Sequence, residues 1–204
     1  MLLPELAIPL HVFEPRYRQL TADALASDRR IGMIAVRPEH AHELSGDPPL
    51  FEVGCAGVVT EHRRLPDGRY HILLQGTHRF RVVAELPREG ERLYRVAETE
   101  PLAEAPGDEW RAAELRERVI ELLVGLSERT PGRSQPIDAA RLRALDLGRF
   151  ANAVSQAVSL PTREKQSLLE AASTEERLAR LTGALDFHLA WLASPAAGGS
   201  ETVH

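Results

Sequence analysis

The sequence predicts an α+β protein in which a β-rich region precedes a helical one. Two observations carry this prediction. Over residues 6–102, short apolar runs alternate with turn residues, which is typical of strands. After the polar segment at residues 103–108, apolar residues recur at the helical period of about 3.6. We therefore expect a β-rich domain over residues 1–102, a helical bundle over residues 109–194 and a disordered tail over residues 195–204.

Turn residues divide the first region into separate predicted strands. The apolar runs cover Arg30–Val36, Phe51–Glu61, Tyr70–Leu74, His78–Leu86 and Tyr94–Leu102. Between the second and third runs, Leu65-Pro66-Asp67-Gly68 places proline and glycine as a tight turn requires, which predicts a hairpin. Gly76-Thr77 predicts a break between the third and fourth runs.

One helix interrupts the strands. Pro15 suits a first helical position, where its missing N–H costs nothing. Tyr17, Leu20 and Ala24 then share one face at helical spacing, and the helix is expected to end near Ser27. This pattern predicts that Tyr17 packs into the core.

The second half contains several amphipathic helices. Trp110 and Leu115 begin an apolar stripe that runs to Leu126, and Asp138 can cap a further helix. Ser173 and Glu176 have the spacing of a capping box before a last helix with a leucine stripe over residues 178–192. Because other amphipathic helices are present to receive this stripe, we expect it to form a bundle core rather than an interaction surface.

Composition excludes several classes of protein. The 204-residue chain carries a net charge of −5, distributed evenly, which disfavours a dedicated nucleic-acid surface. The single cysteine excludes an internal disulfide. No apolar run reaches the roughly 18–20 residues of a membrane-spanning helix, and the first residues do not resemble a signal peptide. We therefore expect a cytoplasmic protein that does not bind membranes.

Lysine is almost absent, which limits the chemistry available. Of the 25 basic residues only Lys165 is a lysine, and Glu164 rather than glycine precedes it, so the chain has no Walker-type phosphate loop. Lys165 lies in a charged run, where it is expected to be solvated rather than to activate a serine. These observations predict a protein that is not an enzyme and requires no cofactor.

Three further groups have both a functional and a structural interpretation. His40 and His42 would face one side of an extended segment, as metal ligands do, but no third ligand is evident and a solvated loop is favoured. Cys55 is expected to be a buried, inert thiol. A phosphate-binding patch is one interpretation of five arginines near the hairpin, although neighbouring acids favour a mixed solvated face; these are Arg63, Arg64, Arg69, Arg79 and Arg81.

Several short segments, in this order, resemble the amino-terminal domain of the Lon protease family. They are Ile8–Tyr17, Gly32–Ala35, Val53–Cys55, Leu65–Tyr70 and Gly76–Val82, followed by Leu160–Glu170 and Glu175–Leu178 in the helical part. The resemblance implies a PUA-like pseudo-barrel followed by a helical bundle. It also implies a module that recognises unfolded or tagged polypeptides, without the ATPase and protease domains, and a full-length Lon-type protease as a further partner.

The motif residues have two interpretations, one as scaffold of the fold and one in which the rim around Phe13, Tyr17 and Phe80 leaves apolar surface that binds unfolded polypeptide segments. Family members usually begin with a strand such as Leu-Pro-Leu-Phe-Pro-Leu, yet Met1 lies only ten residues before His11, so we expect an open sheet edge or a start codon assigned too late. An open edge can accept an extended peptide as a strand. Two alternatives remain, an RNA-binding PUA-like module and an ATP-independent peptidase, although no residue set supports the peptidase.

Overall fold

A computed structural model describes residues 1–43, 46–129 and 137–193. The chain forms two compact units. The first contains residues 1–103 together with residues 156–170, and the second contains residues 104–155 and the chain from residue 171 onward.

The first unit is built on a five-stranded antiparallel sheet. Its strands are β1 (Ala7–Val12), β2 (Arg30–Met33), β3 (Val53–Arg64), β4 (Tyr70–Leu86) and β5 (Val96–Leu102). The strand order is β1-β4-β3-β2, and β5 pairs with β4 as well. Helix α1 (Pro15–Leu25) connects β1 to β2 and begins at the predicted proline. The mixed α+β fold class is confirmed.

The predicted hairpin is present between β3 and β4. Leu65 N–H donates to Arg69 O at 2.8 Å and Gly68 N–H donates to Leu65 O at 2.9 Å, which closes the turn. Gly68 has a φ of 80°, a conformation that glycine adopts without steric cost.

The predicted break at Gly76-Thr77 is wrong, because residues 70–86 form one strand. Gly57 pairs with Gly76 and Ala56 pairs with His78, so Thr77 is the extra residue of a bulge. On the edge opposite β3, this long strand pairs with two neighbours. Residues 70–75 pair with β1, and residues 79–86 pair with β5.

The core of this unit lies on one face of the sheet and includes the amino-terminal residues. Leu2 and Leu3 are buried, with Val59 and Leu74 among their neighbours in one apolar cluster. A methyl group added at Gly76 would lie 2.2 Å from Leu3 O, so the backbones approach as closely as only glycine allows. Two hydrogen bonds flank this approach, from Glu5 N–H to Gly76 O at 3.0 Å and from Gly76 N–H to Leu6 O at 2.8 Å.

Helix α5 (Thr162–Glu170) also belongs to the sheet unit, although the sequence placed it within a bundle over residues 109–194. Gln166 is buried and donates to Val53 O at 2.9 Å. Arg79, buried on β4, donates to Leu169 O at 2.9 Å. The Leu169 side chain joins the apolar cluster of the sheet. These contacts explain why the helix groups with the strands.

The second unit is helical. It contains α2 (Glu109–Arg129), α3 (Ala139–Arg143), α6 (Thr174–Ala193) and all but the last two residues of α4 (Leu147–Ala157). α2 packs against α6, where Leu178, Leu181 and Leu185 are buried, so this part of the leucine stripe forms core as predicted. Trp110, in contrast, is 87% exposed, so its predicted place on the buried face of α2 is wrong.

Local capping explains where two of these helices begin. The Asp138 carboxylate accepts a hydrogen bond from Arg141 N–H at 3.0 Å before α3. Ser173 Oγ accepts from Glu176 N–H at 3.1 Å before α6, as the capping-box spacing predicted. The reciprocal bond is shifted by one residue, because the Glu176 carboxylate accepts from Ala172 N–H. Beside this cap, the buried Arg177 guanidinium pairs with Glu104 at 3.1 Å.

Within the described ranges, no helix is both long enough and apolar enough to cross a membrane. The predicted tail at residues 195–204 lies outside the described residues.

Candidate functional site

An apolar groove of about 400 Å³ lies in the sheet unit. Six segments line it: the end of β1 with the residues after it, helix α1, strand β2 with the residues after it, Ile72 of β4, the loop at residues 46–50 and the loop at residues 88–95. The first two include Phe13 and Tyr17, two of the residues that the sequence placed at a peptide-binding surface.

Among the described strands, the sheet does not close on itself. β1 and β2 stand at opposite ends of the strand order, so each is paired along one edge only. Leu10–Phe13 and Ile31–Ile34 line the groove, and Ile72 of β4 contributes to its wall. No residue of β3 is among the lining residues, so the groove does not lie over that strand.

Helix α1 is fixed to the loop at residues 88–95 by three hydrogen bonds. The Gln19 amide accepts from Leu93 N–H at 2.7 Å and donates to Glu91 O at 3.3 Å. Tyr94 OH donates to Asp23 at 2.9 Å. Together these bonds hold one side of the groove in a defined position.

The arginines around the groove form hydrogen bonds and ion pairs along its rim. Arg95 donates to Pro48 O at 2.8 Å and pairs with Glu85. Arg88 pairs with Asp47, and Arg16 pairs with Glu14 at 2.9 Å. Because each of these cations has an acidic partner, the groove offers little net charge to a ligand and its accessible surface is mainly apolar.

Two aromatic side chains remain exposed at the rim. Phe13 is 59% exposed and Tyr17 is 43% exposed. The Arg16 guanidinium lies 4.6 Å from the centre of the Tyr17 ring, a cation–π contact that fixes the ring without burying it. The expectation that Tyr17 packs into the core is therefore wrong, and the residue lines the groove instead.

Phe80, the third predicted residue, does not contribute to this surface. It is 7% exposed, and a methyl group added at Gly54 would lie 2.5 Å from the tip of its ring. Gly54 and Gly32 leave the space that the ring fills. The prediction of an exposed Phe80 is wrong because two glycines on neighbouring strands accommodate the aromatic ring inside the fold.

The five arginines near the hairpin do not form one basic patch. Arg79 is buried and bonded to backbone carbonyls. Arg81 pairs with Glu52 at 3.2 Å. Arg69 hydrogen-bonds the Asp67 carboxylate and thereby lowers the pKa of Asp67 to about 2. The structure therefore favours the mixed, solvated interpretation of this region.

The remaining candidate groups have structural surroundings. Cys55 is buried, and burial raises the pKa of its thiol to about 12, so it is not a nucleophile at neutral pH. Lys165 is half-buried rather than solvated: its ammonium donates to Gln156 O at 3.1 Å, and burial lowers its pKa.

The two histidines of the predicted loop lie in a short 3₁₀ helix at Pro38–Glu43 rather than in an extended segment. His40 and His42 approach the Glu43 carboxylate at 3.1 and 3.2 Å. The hydrogen bond from His40 lowers the pKa of Glu43. In the described ranges, no group of three or more His, Cys, Asp or Glu residues is arranged to hold a metal ion.

Sequence reasoning missed the two loops that complete the groove. Tyr94 was assigned to a strand, but β5 begins at Val96, and Tyr94 with Leu93 faces the groove. Pro48-Pro49, which cannot donate backbone hydrogen bonds, was the available signal for a loop at residues 46–50.

Comparison with known proteins finds similarity to Lon proteases. The model of the ATP-dependent protease La (LON) substrate-binding domain family matches residues 1–186. A Lon protease 2 from Syntrophobacter fumaroxidans is 28% identical over 185 residues, which cover 89% of this chain and 22% of the relative. The Lon protease of Escherichia coli K12 is 28% identical over 188 residues, covering 90% of this chain and 23% of the relative. The chain thus spans under a quarter of the length of these relatives.

Two solved structures share the fold. The amino-terminal domain of a Lon protease from the Mycobacterium avium complex aligns with a TM-score of 0.65 and 20% identity, covering 92% of this chain and 94% of that one. A Lon amino-terminal domain protein from Xanthomonas campestris aligns with a TM-score of 0.59 and 22% identity, covering 89% and 91%.

Proposed function

Because the chain belongs to the family of the Lon substrate-binding domain, we propose that it is a non-catalytic module that binds exposed apolar segments of unfolded polypeptides. The observation that carries this proposal is the groove with Phe13 and Tyr17 exposed at its rim. A module that accepts many sequences cannot depend on many specific polar contacts. Burial of apolar side chains does not require a fixed sequence.

The exposure of the two rings sets the expected strength of binding. Aromatic side chains present roughly 150–250 Å² each, so Phe13 and Tyr17 retain about 100 Å² apiece for a ligand to cover. At about 25 cal/mol per Å², the two rings together supply about 5 kcal/mol before the cost of association is subtracted. We therefore expect weak binding that depends strongly on both rings.

The test measures binding of fluorescein-labelled, reduced and carboxymethylated α-lactalbumin, a permanently unfolded protein, by fluorescence anisotropy. Phe13→Ala and Tyr17→Ala should each weaken binding by about ten- to seventyfold, as expected when one ring loses about 1.5–2.5 kcal/mol of contact. Trp110→Ala is the matched control, since it removes an exposed ring of the helical unit and should leave binding unchanged. Equal losses in all three variants would contradict a specific groove.

A salt titration separates this proposal from RNA binding. Apolar contacts should change little between roughly 50 and 200 mM salt, whereas six to ten phosphate contacts lose about 10³–10⁵ in affinity over that range. If a labelled RNA binds at low salt and α-lactalbumin does not bind at all, the polypeptide proposal is wrong and the RNA alternative replaces it.

The family also motivates a second partner, a full-length Lon-type protease from the same cell. We propose that polypeptides bound here, whether unfolded or tagged, are then delivered to it. Co-elution of the two purified proteins on size exclusion, with α-lactalbumin present, tests this extension. Separate elution under every condition would contradict it.

A further inference from the structure

The groove borders a strand edge that pairs with no other strand in the described part of the chain. Among the described strands, β1, β2 and β5 each pair along one edge only. β2 and the residues that follow it contribute a nearly continuous wall of the groove from Ile31 to Val36. The hydrogen bonds on the paired side of this wall determine which of its backbone groups face away from the sheet.

On the paired side of this wall, the odd-numbered residues make the backbone hydrogen bonds. Val59 N–H donates to Arg29 O at 2.9 Å, and the antiparallel register then makes Ile31 and Met33 the next residues bonded to β3. The same phase continues beyond the strand, where Phe51 N–H donates to Ala35 O and Arg37 N–H donates to Pro49 O, both at 3.0 Å.

The even-numbered residues therefore direct their backbone groups away from β3. These residues are Gly32, Ile34 and Val36, and each supplies one N–H donor and one C=O acceptor. Gly32 is exposed, and the other two are half-buried in the groove. From Gly32 to Val36 the edge spans about 13 Å, the length of a five-residue extended segment.

The other two free edges are less suited to accept a strand. By the same alternation, β1 directs Ala7, Pro9 and His11 outward, and Pro9 has no N–H to donate. β5 carries Glu98 and Glu100 and does not line the groove. Proline and charged side chains are the usual protection of an edge against added strands. The β2 edge has neither along its outward row.

We propose that the polypeptide ligand binds in an extended conformation, as a strand added to the free edge of β2 at Gly32, Ile34 and Val36. This proposal rests on the proposed function and specifies how that ligand is held. The main chain pairs with the edge, and every second side chain enters the apolar groove beside Tyr17 and Leu93. The class of ligand is an apolar segment of about five residues without proline. Because the groove offers little net charge, it does not select for particular charged side chains in that segment.

The test uses ten-residue peptides tiled across the α-lactalbumin sequence, and the tightest binder is resynthesised with one N-methyl group at each position in turn. A strand added to an edge directs only alternate N–H groups to its neighbour. We therefore expect a period of two across the central five residues, with alternate N-methyl groups weakening binding at least tenfold and the intervening ones less than twofold.

Other outcomes overturn strand addition. N-methyl groups that are tolerated everywhere mean that side chains alone are recognised, and a period of three to four means that the ligand is helical. If no ten-residue peptide binds although full-length α-lactalbumin does, a short extended segment is insufficient. In all three cases the proposed function survives, because unfolded protein is still bound. Failure of α-lactalbumin itself to bind would contradict the proposed function instead.

Discussion

Replacing Gly76 by alanine should destabilise the sheet unit through a backbone clash. The added methyl group would lie 2.2 Å from Leu3 O and 2.9 Å from Leu3 C, so the two backbones must separate by about 1 Å to regain ordinary contact. Gly76 is not among the residues with positive φ, so alanine itself fits the local conformation. The cost therefore arises from the close approach alone.

The magnitude depends on how the clash is relieved. A small adjustment of both strands costs about 1–3 kcal/mol, as other overpacked cores do. If the amino-terminal segment detaches instead, Leu2 and Leu3 lose their burial, at about 1.5–3 kcal/mol each. Because two hydrogen bonds resist the separation, we expect a loss of about 2–4 kcal/mol.

Urea denaturation followed by far-UV circular dichroism measures this loss, and hydrogen exchange at Glu5 and Gly76 reports whether the segment detaches. Gly183→Ala is the control of opposite sign. Nothing lies within 4 Å of its added methyl group in α6, so the higher helix propensity of alanine should stabilise the protein by up to about 1 kcal/mol. A Gly76→Ala protein within about 0.5 kcal/mol of the parent would refute the close-approach argument.

Two further predictions follow from the burial of particular groups. A chain ending at Ala103 should unfold at lower urea concentration than the full chain, because it lacks Gln166 and Leu169; an unchanged midpoint for the sheet would show that α5 is dispensable. Cys55 should not react with a disulfide reagent at pH 8 until the protein unfolds, as measured by absorbance of the released thiol, and rapid reaction in the folded state would contradict its burial. Since folding raises the pKa of this thiol to about 12, its contribution to stability is complete below the unfolded pKa of roughly 8.5 and is lost as the pH rises toward 12.

Features decided by neighbouring residues were predicted well from the sequence. The hairpin at Leu65–Gly68, the start of α1 at Pro15 and the cap at Ser173 each depend on residues within one turn. Their chemistry is visible in a short window of sequence, because a glycine in a turn or a serine before a helix acts on its own backbone.

Features that depend on residues far apart in the sequence were not predictable in this way. The bulge at Thr77 depends on the partner strand, and a local pattern of glycine and threonine cannot distinguish it from a turn. Phe80 and Tyr17 are both aromatic residues on apolar stripes, yet Gly54 makes space for one ring while the other stays exposed with Arg16 against it. Eight of the 23 residues that line the candidate site lie in the loops at residues 46–50 and 88–95, where no helical or strand period indicates their position.

The membership of α5 in the sheet unit has a consequence for biosynthesis. The strands are complete at residue 103, but the helix that completes their core begins about sixty residues later. At a translation rate of about 5–20 residues per second, synthesis of the chain up to that helix takes roughly 3–12 seconds more. During this interval the cluster around Cys55 and Leu74 lacks its Leu169 neighbour, and the buried Arg79 lacks its acceptor at Leu169 O. The protein thus passes through a stage of its own synthesis in which part of its core is open, and that stage is when ribosome-associated chaperones would have most to protect.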